Sequence, residues 1–170
     1  GTVDAFNMHS THLEGPREIL CYLPARFRRN RRYPLLVVHD GVDFLRFADL
    51  RAVLDNLIER LEIPPMIVAM TQAGDRLKEY AGSDQHADFL AGDLLPFMNN
   101  HYPLRDEAQS RGLVGASFGG VAALHAAWRH PDLYGRLLLQ SGSYAFSDIG
   151  RHQRGPVFDP VVRFMNEFRE

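Results

Sequence analysis

The sequence of 170 residues contains a single cysteine, Cys21, so an internal disulfide bond is excluded. No apolar run is long enough to cross a membrane as a helix, and no basic segment followed by an apolar one opens the chain. The formal net charge is -2, which gives no general reason to expect nucleic acid or a membrane surface as a partner. The eight histidines show no metal-ligand spacing, and we expect neither a metal nor another cofactor.

The composition fits one globular domain spanning residues 1–170, with 45% hydrophobic and 24% charged residues. A lone cysteine is typical of a reducing compartment, so we expect a cytoplasmic protein. The chain starts at Gly1 without a methionine, which leaves an upstream signal or domain as an open alternative. The oligomeric state is not predicted.

Strand-like and helix-like segments alternate along the chain. The patterns predict strands at residues 3–8, 19–23, 34–38, 66–70, 112–114 and 137–139, and helices at residues 47–61, 89–98, 118–130 and 159–169. We expect the second and third strands to form a hairpin. Strands alternating with helices imply crossover connections, so the fold class is α/β, with a mostly parallel sheet covered by helices on both faces.

A serine between two glycines is the most informative motif, in the stretch Gly115-Ala116-Ser117-Phe118-Gly119. A short apolar strand precedes it and a helix rich in small residues follows, which is the context of a nucleophile elbow. Glycines two residues before and after the serine make such a sharp turn sterically possible. Ser117 is therefore the candidate nucleophile, and an ordinary Gly-rich turn is the alternative.

Further motifs occur in order along nearly the whole chain. They are His39-Asp40-Gly41-Val42, Arg76-Leu77-Lys78-Glu79-Tyr80, Phe89-Leu90 with Leu94-Leu95-Pro96, Gly115 to Gly120, His130-Pro131-Asp132-Leu133-Tyr134-Gly135 and Gln140-Ser141-Gly142-Ser143. Together with the elbow, they resemble the enterochelin-esterase-like branch of the α/β-hydrolases, related to esterase D and the mycolyltransferases. The resemblance implies an α/β-hydrolase fold and hydrolysis of small-molecule carboxylic esters through an acyl-serine intermediate. It also makes siderophore lactones a candidate substrate class.

Ester hydrolysis through a serine needs an oxyanion hole, usually two backbone N–H groups. The position after the nucleophile predicts the Phe118 N–H as one donor, at the start of a helix. The family match at Asp40-Gly41-Val42 implies the Val42 N–H as the other, with Gly41 letting the backbone turn in close. A plain Asp-Gly turn leaving a strand is the alternative.

The acid and histidine of a triad follow the serine in this fold. The family segments that carry them would lie beyond Glu170, so we expect a truncated hydrolase domain with negligible turnover on its own. Within the chain, His39 is the best placed histidine to act as base, because it follows a central strand. A histidine at a strand end is more often a hydrogen-bonded structural group, so we expect a structural role for His39, with the base as the alternative. We expect structural or surface roles for His9, His12, His86, His101, His125, His130 and His152.

Two charged segments have open interpretations. Five arginines crowd one loop and predict either an anion site or, as we expect, an exposed hairpin tip: Arg26, Arg28, Arg29, Arg31 and Arg32. Arg76, Glu79 and Tyr80 could contact substrate or stabilise their own loop.

Two alternatives to an esterase stay open at this point. One is a non-catalytic chain that only binds a ligand or partner, and the other is an acyltransferase on the same fold.

Overall fold

The structure is a computed structural model that describes residues 1–147 and 154–170. The described part contains six strands: β1 Thr2–His9, β2 Pro16–Leu23, β3 Leu35–Val38, β4 Ile67–Thr71, β5 Arg111–Ala116 and β6 Arg136–Gln140. Its α-helices are α1 Gly41–Phe47, α2 Leu50–Glu59, α3 Arg76–Glu79, α4 Asp84–Asp88, α5 Leu95–His101, α6 Phe118–Arg129 and α7 Asp159–Arg169. None of the described helices is long and apolar enough to span a membrane.

All six strands form one sheet in the order β1-β2-β4-β3-β5-β6. The β4-β3-β5-β6 part is parallel, while β1 and β2 run antiparallel to each other and β2 runs antiparallel to β4. The expected hairpin between the second and third strands is therefore wrong. Strand β4 lies between them, and the segment that joins β2 to β3 is a crossover rather than a tight turn. The hairpin of this chain joins β1 to β2.

The helical segment after β3 is divided differently from the expected helix at residues 47–61. Helix α1 begins at Gly41, directly after the strand, and α2 begins at Leu50. Asp40 and Asp49, which precede the two helices, both have positive φ angles, 53° and 46°. Aspartate tolerates this left-handed conformation better than most residues, so each one turns the chain into a new helix.

The helix expected at residues 89–98 is part of a longer helical run. Helix α4 is capped by the Ser83 hydroxyl, which accepts the His86 N–H at 3.3 Å. A π-helical turn, Phe89–Leu94, then connects α4 to α5. Pro96 is the second residue of α5, where its missing N–H and its ring break the regular α-helical hydrogen bonding, which accounts for a changed pitch at this point.

Helices cover both faces of the sheet. On one face, Ile19, Val37 and Leu113 belong to a buried cluster with Leu90 and Met98 of the long helical run. On the other face, strand residues pack with α1 and α2 in a second cluster, which includes Val38, Met70, Val114, Phe44, Leu54 and Ile58. A third cluster joins α6 to α7, and includes Phe118, Val121, Val161 and Phe164. Strands β3, β4 and β5 are buried on both sides, which is why they are short continuous apolar runs, whereas β6 is largely exposed.

Candidate active site

Ser117 forms a sharp strand-to-helix turn between β5 and α6. Its φ of 56° and ψ of -121° are rare for a residue other than glycine, and such backbone strain costs about 1–3 kcal/mol. Gly115 has to be glycine here, because a Cβ on it would overlap the Gly119 carbonyl. Ser117 is half-buried, and its N–H donates to the Gln140 carbonyl of β6 at 3.0 Å. The turn has the geometry expected of a nucleophile elbow.

A second hydroxyl lies beside Ser117. The Oγ atoms of Ser117 and Ser143 are 2.8 Å apart, and the Ser143 N–H donates to the Ser117 carbonyl at 3.0 Å. Sequence reasoning did not assign Ser143 a role, although the Gln140-Ser141-Gly142-Ser143 motif follows β6, the strand that neighbours β5. Since both strands are parallel, residues that follow them meet at the same edge of the sheet.

The two expected oxyanion donors also lie at this edge. Val38 of β3 pairs with Val114 of β5, and Val42 and Phe118 each come four residues later. Val42 is the second residue of α1 and Phe118 is the first residue of α6. Neither N–H donates to an acceptor among the described residues, since the first N–H groups of a helix have no partner within it.

The turn before Val42 differs from the one expected. Asp40, not Gly41, adopts the left-handed conformation, while Gly41 is the first helical residue. A Cβ on Gly41 would overlap Met70, so the glycine allows α1 to start close against β4.

An ion pair holds the Asp40 turn to the elbow. Arg76 Nε donates to both carboxylate oxygens of Asp40, at 3.1 and 3.0 Å, and its Nη2 donates to Asp40 Oδ2 at 2.9 Å. The same Nη2 donates to the Ala116 carbonyl at 3.3 Å. These hydrogen bonds to Asp40 raise the pKa of the Arg76 guanidinium. Arg76 therefore contacts both Asp40, which precedes α1, and Ala116, which precedes the turn at Ser117.

His39 is buried and does not face the candidate nucleophile. Its Nδ1 donates to the Val114 carbonyl at 2.9 Å, and its Nε2 lies 3.0 Å from His86 Nε2. Since Nδ1 carries the proton in this neutral ring, His86 Nε2 is the donor of the pair. Burial lowers the pKa of His39 and lowers that of His86 well below its usual value, with the neighbouring His39 as a further cause for His86. Neither nitrogen of His39 is free to accept a proton from Ser117.

Three other histidines have carboxylate partners that the sequence did not reveal. His12 pairs with Asp93 at 3.0 Å, His130 with Asp88 at 3.0 Å and His125 with Asp84 at 3.3 Å. Within residues 1–147 and 154–170, no histidine nitrogen forms a hydrogen bond with Ser117 Oγ, while His152 lies outside the described residues.

The remaining charged segments do not line the elbow. The five loop arginines are exposed as expected, but they lie at the amino-terminal edge of the parallel strands, opposite Ser117. Glu79 is buried and binds Arg17 Nη2 at 2.9 Å, and Tyr80 is fully buried. Glu79 thus stabilises its loop, while the Tyr80 hydroxyl accepts the Asp40 N–H at 3.4 Å, at the β3–α1 junction. The described residues contain no group of three or more His, Cys, Asp or Glu that could hold a metal ion.

A mixed sheet with helices on both faces, and a serine elbow at the carboxyl end of β5, define an α/β-hydrolase-type fold. Residues 10–163 match the family described as "Putative esterase". The chain belongs to this esterase family, in its enterochelin-esterase-like branch.

Curated relatives and solved structures place the chain among longer proteins. The chain is 32% identical to the iron(III) enterobactin esterase of Escherichia coli K12 over 131 residues, covering 75% of this chain and 33% of that protein. It is 28% identical to the Bacillus subtilis protein YjcH over 148 residues, covering 83% of this chain and 62% of YjcH. The crystal structure of the enterochelin esterase from Shigella flexneri matches it with a TM-score of 0.79 and 27% identity, covering 92% of this chain and 40% of that one. The chain thus spans less than two thirds of the length of these relatives.

Proposed function

We propose that the protein is a serine esterase in which Ser117 attacks the carbonyl carbon of a carboxylic ester. The observation that carries the proposal is the strained turn at Ser117, next to two helix starts whose first N–H groups have no partner among the described residues. A strained backbone is maintained only where the surrounding structure forces it, and such residues cluster at functional sites.

The attack forms a bond between Ser117 Oγ and the carbonyl carbon and moves negative charge onto the carbonyl oxygen. The Val42 and Phe118 N–H groups would stabilise this oxyanion, and each such donor contributes about 10²–10³ in kcat. The hydroxyl proton passes to a histidine base, which returns it to the departing alcohol. Water then cleaves the acyl-serine and releases the acid.

The histidine and its acid partner belong, in this proposal, to sequence beyond Glu170. Its support is that His39, the best placed histidine of the chain, has both nitrogens engaged. The relatives are also longer than the part that matches this chain, which is 62% of YjcH and 33% of the Escherichia coli esterase.

The substrate class follows from the relatives. Several matched proteins are named iron(III) enterobactin esterases, from Escherichia coli and Dickeya dadantii. We therefore propose a siderophore lactone, a cyclic ester of small hydroxy acids, as the first natural substrate to test.

The test compares the full-length protein with its Ser117→Ala variant on a short-chain nitrophenyl ester and on enterobactin. We expect the wild type to hydrolyse both and the variant to lose at least about 10⁴-fold in kcat. Hydrolysis of the nitrophenyl ester alone would support the esterase and contradict the siderophore substrate. Full activity in Ser117→Ala would contradict the serine mechanism. The chain of 170 residues, tested in parallel, should show negligible turnover.

A further inference from the structure

The segment formed by residues 140–144 contacts every polar atom of Ser117. The Ser117 N–H donates to the Gln140 carbonyl at 3.0 Å, and the Ser117 carbonyl accepts the Ser143 N–H at 3.0 Å. The Oγ atoms of Ser117 and Ser143 are 2.8 Å apart, the usual distance for a hydrogen bond between two hydroxyls. The Ser143 hydroxyl is therefore bound to the atom that the proposed mechanism uses as the nucleophile.

Close packing keeps this segment in place. A Cβ on Gly142 would overlap the Tyr144 ring, and a Cβ on Gly120 of α6 would be 3.1 Å from the Gly142 Cα. The Tyr144 hydroxyl donates to the Gly120 carbonyl at 3.4 Å, and Ser143 is itself half-buried. Because Gly142 and Tyr144 both contact the start of α6, the Ser143 hydroxyl between them has a fixed position beside the elbow.

Ser143 can donate to Ser117 Oγ without competing for the proton of the nucleophile. A hydroxyl has one hydrogen and two lone pairs. Ser117 Oγ can therefore donate its own hydrogen to a histidine and accept the Ser143 hydrogen at the same time. Once the Ser117 proton has left, Oγ is only an acceptor, so Ser143 is the donor of the pair during the reaction.

The strength of this hydrogen bond changes between the two steps of the proposed mechanism. In the free enzyme Ser117 Oγ is a hydroxyl oxygen and accepts well, as it also does in the transition state of acylation. In the acyl-serine the same atom is the alkoxy oxygen of an ester, which accepts poorly because its lone pair is delocalised into the carbonyl. Oγ becomes a strong acceptor again when the ester bond breaks. An interaction accelerates only a step in which it strengthens between the ground state and the transition state, and here that step is deacylation.

We propose that Ser143 is a second catalytic residue, whose hydroxyl stabilises Ser117 Oγ as the leaving group when the acyl-serine is hydrolysed. The inference rests on the proposed function. Water adds to the acyl carbon and gives a proton to the base, and the bond between this carbon and Ser117 Oγ then breaks. The electron pair of that bond moves to Oγ, the base returns the proton to Oγ, and Ser143 keeps its own proton. A single neutral hydrogen bond changes a rate by about three- to tenfold.

The test uses variants of the full-length protein. Ser143→Ala removes the hydroxyl, while Ser143→Thr and Ser143→Val form a pair of equal shape that differs in the hydroxyl alone. Ser147→Ala is the matched control, because this exposed serine lies in the same part of the chain and its hydroxyl donates to the Asn166 side chain at 3.2 Å. Ser117→Ala tests the proposed function in parallel.

Kinetics on nitrophenyl acetate separate the two steps, because nitrophenol leaves readily and deacylation then limits kcat. In Ser143→Ala we expect kcat and KM to fall together by about fivefold, with kcat/KM within about twofold of wild type. Mass spectrometry of quenched samples follows the acetyl group on Ser117, and its loss should slow by the same fivefold. Ser143→Val should behave like Ser143→Ala, whereas Ser143→Thr and Ser147→Ala should retain the wild-type rate of acetyl loss.

Two results would overturn the role of Ser143. One is a fall in kcat/KM as large as the fall in kcat, because a residue that merely orients the nucleophile slows acylation as well. The other is an acetyl group that forms on Ser117 and is lost equally fast in Ser143→Thr and Ser143→Val. Full hydrolysis by Ser117→Ala, or no acetyl group on Ser117 in the wild type, would instead show that the proposed function is wrong.

Discussion

Two neighbouring strand-to-helix junctions, β3 to α1 and β5 to α6, lie at the same edge of the sheet but differ in their chemistry. Each turns at a residue with positive φ, Asp40 at 53° and Ser117 at 56°. Val38 pairs with Val114, so Asp40 and Ala116 each come two residues after a paired position. The turn at Ser117 therefore comes one residue later than the turn at Asp40. Val42 is therefore the second residue of its helix, while Phe118 is the first.

The difference between the junctions lies in what happens to the turning side chain. At Asp40 the carboxylate is fixed by Arg76, so only the backbone N–H of that junction remains available. At Ser117 the hydroxyl contacts only another hydroxyl among the described residues. In the proposed mechanism, the β3–α1 junction would supply a donor alone, and the β5–α6 junction would supply a donor and a nucleophile.

The sharpest test of this comparison is to remove each of the two adjacent hydroxyls, those of Ser117 and Ser143, in a separate variant. Ser143→Ala removes the hydrogen bond to Ser117 Oγ but leaves the elbow intact, so we expect a change in kcat of less than about tenfold on a nitrophenyl ester. Ser117→Ala should cost at least about 10⁴-fold, because it removes the atom that forms the acyl bond. A larger loss in Ser143→Ala than in Ser117→Ala would mean that Ser143, which follows β6, is the nucleophile, and would contradict the role proposed for Ser117.

The geometry of the elbow can be tested through β5. Gly115→Ala places a Cβ into the Gly119 backbone, which cannot move without shifting α6, so we expect a loss of about 3 kcal/mol in unfolding free energy. Gly112→Ala in the same strand is the control, since the nearest atom to its Cβ would be the end of the Leu36 side chain, at 3.0 Å, with Arg136 at an ordinary contact distance of 3.7 Å. Urea denaturation measures both. Equal unfolding free energies for the two variants would contradict the close approach of Gly115 to the Gly119 carbonyl.

The buried His39–His86 pair under the first junction predicts a dependence of stability on pH. Both imidazoles have lowered pKa values in the folded state because they are buried, so the unfolded chain binds more protons below about pH 6.5. The unfolding free energy should therefore fall as the pH drops from 6.5 toward 5. Each buried histidine contributes a slope of up to about 1.4 kcal/mol per pH unit.

A variant that removes one imidazole measures this contribution. His86→Gln should reduce the slope by up to about 1.4 kcal/mol per pH unit, the contribution of one proton, and the same change at the exposed His9 is the matched control. The neighbouring Arg17 and His125 also lower the pKa of His86. A slope in His86→Gln equal to that of the wild type would mean that the pair is not neutral in the folded protein.

The elements that the sequence predicted correctly are those set by local patterns. The strand patterns predicted all six strands, and the glycine spacing around Ser117 predicted the sharp turn there. The hairpin between β2 and β3 was wrong because strand pairing depends on contacts between distant segments, here Ile19 with Thr71. Helix α1 was missed because Asp40-Gly41 is typical of a longer turn. In the structure Asp40 alone makes the turn, so the helix already begins at Gly41.

The polar contacts of the site could not be predicted from one sequence. His39 meets His86 across 47 positions, and Arg76 meets Asp40 across 36. Such pairs depend on how the crossovers bring distant loops to one edge of the sheet. The motifs that contain these residues are recognisable in the sequence, but no spacing rule predicts which of them contact each other.

The central claim is that both junctions serve one oxyanion. The most direct measurement is a crystal structure of the full-length protein after reaction with a phosphonate ester that mimics the tetrahedral intermediate. We expect phosphorus bonded to Ser117 Oγ, and one phosphoryl oxygen about 3 Å from both the Val42 and the Phe118 nitrogen. A phosphoryl oxygen bound away from Val42, or an adduct on a residue other than Ser117, would contradict the account.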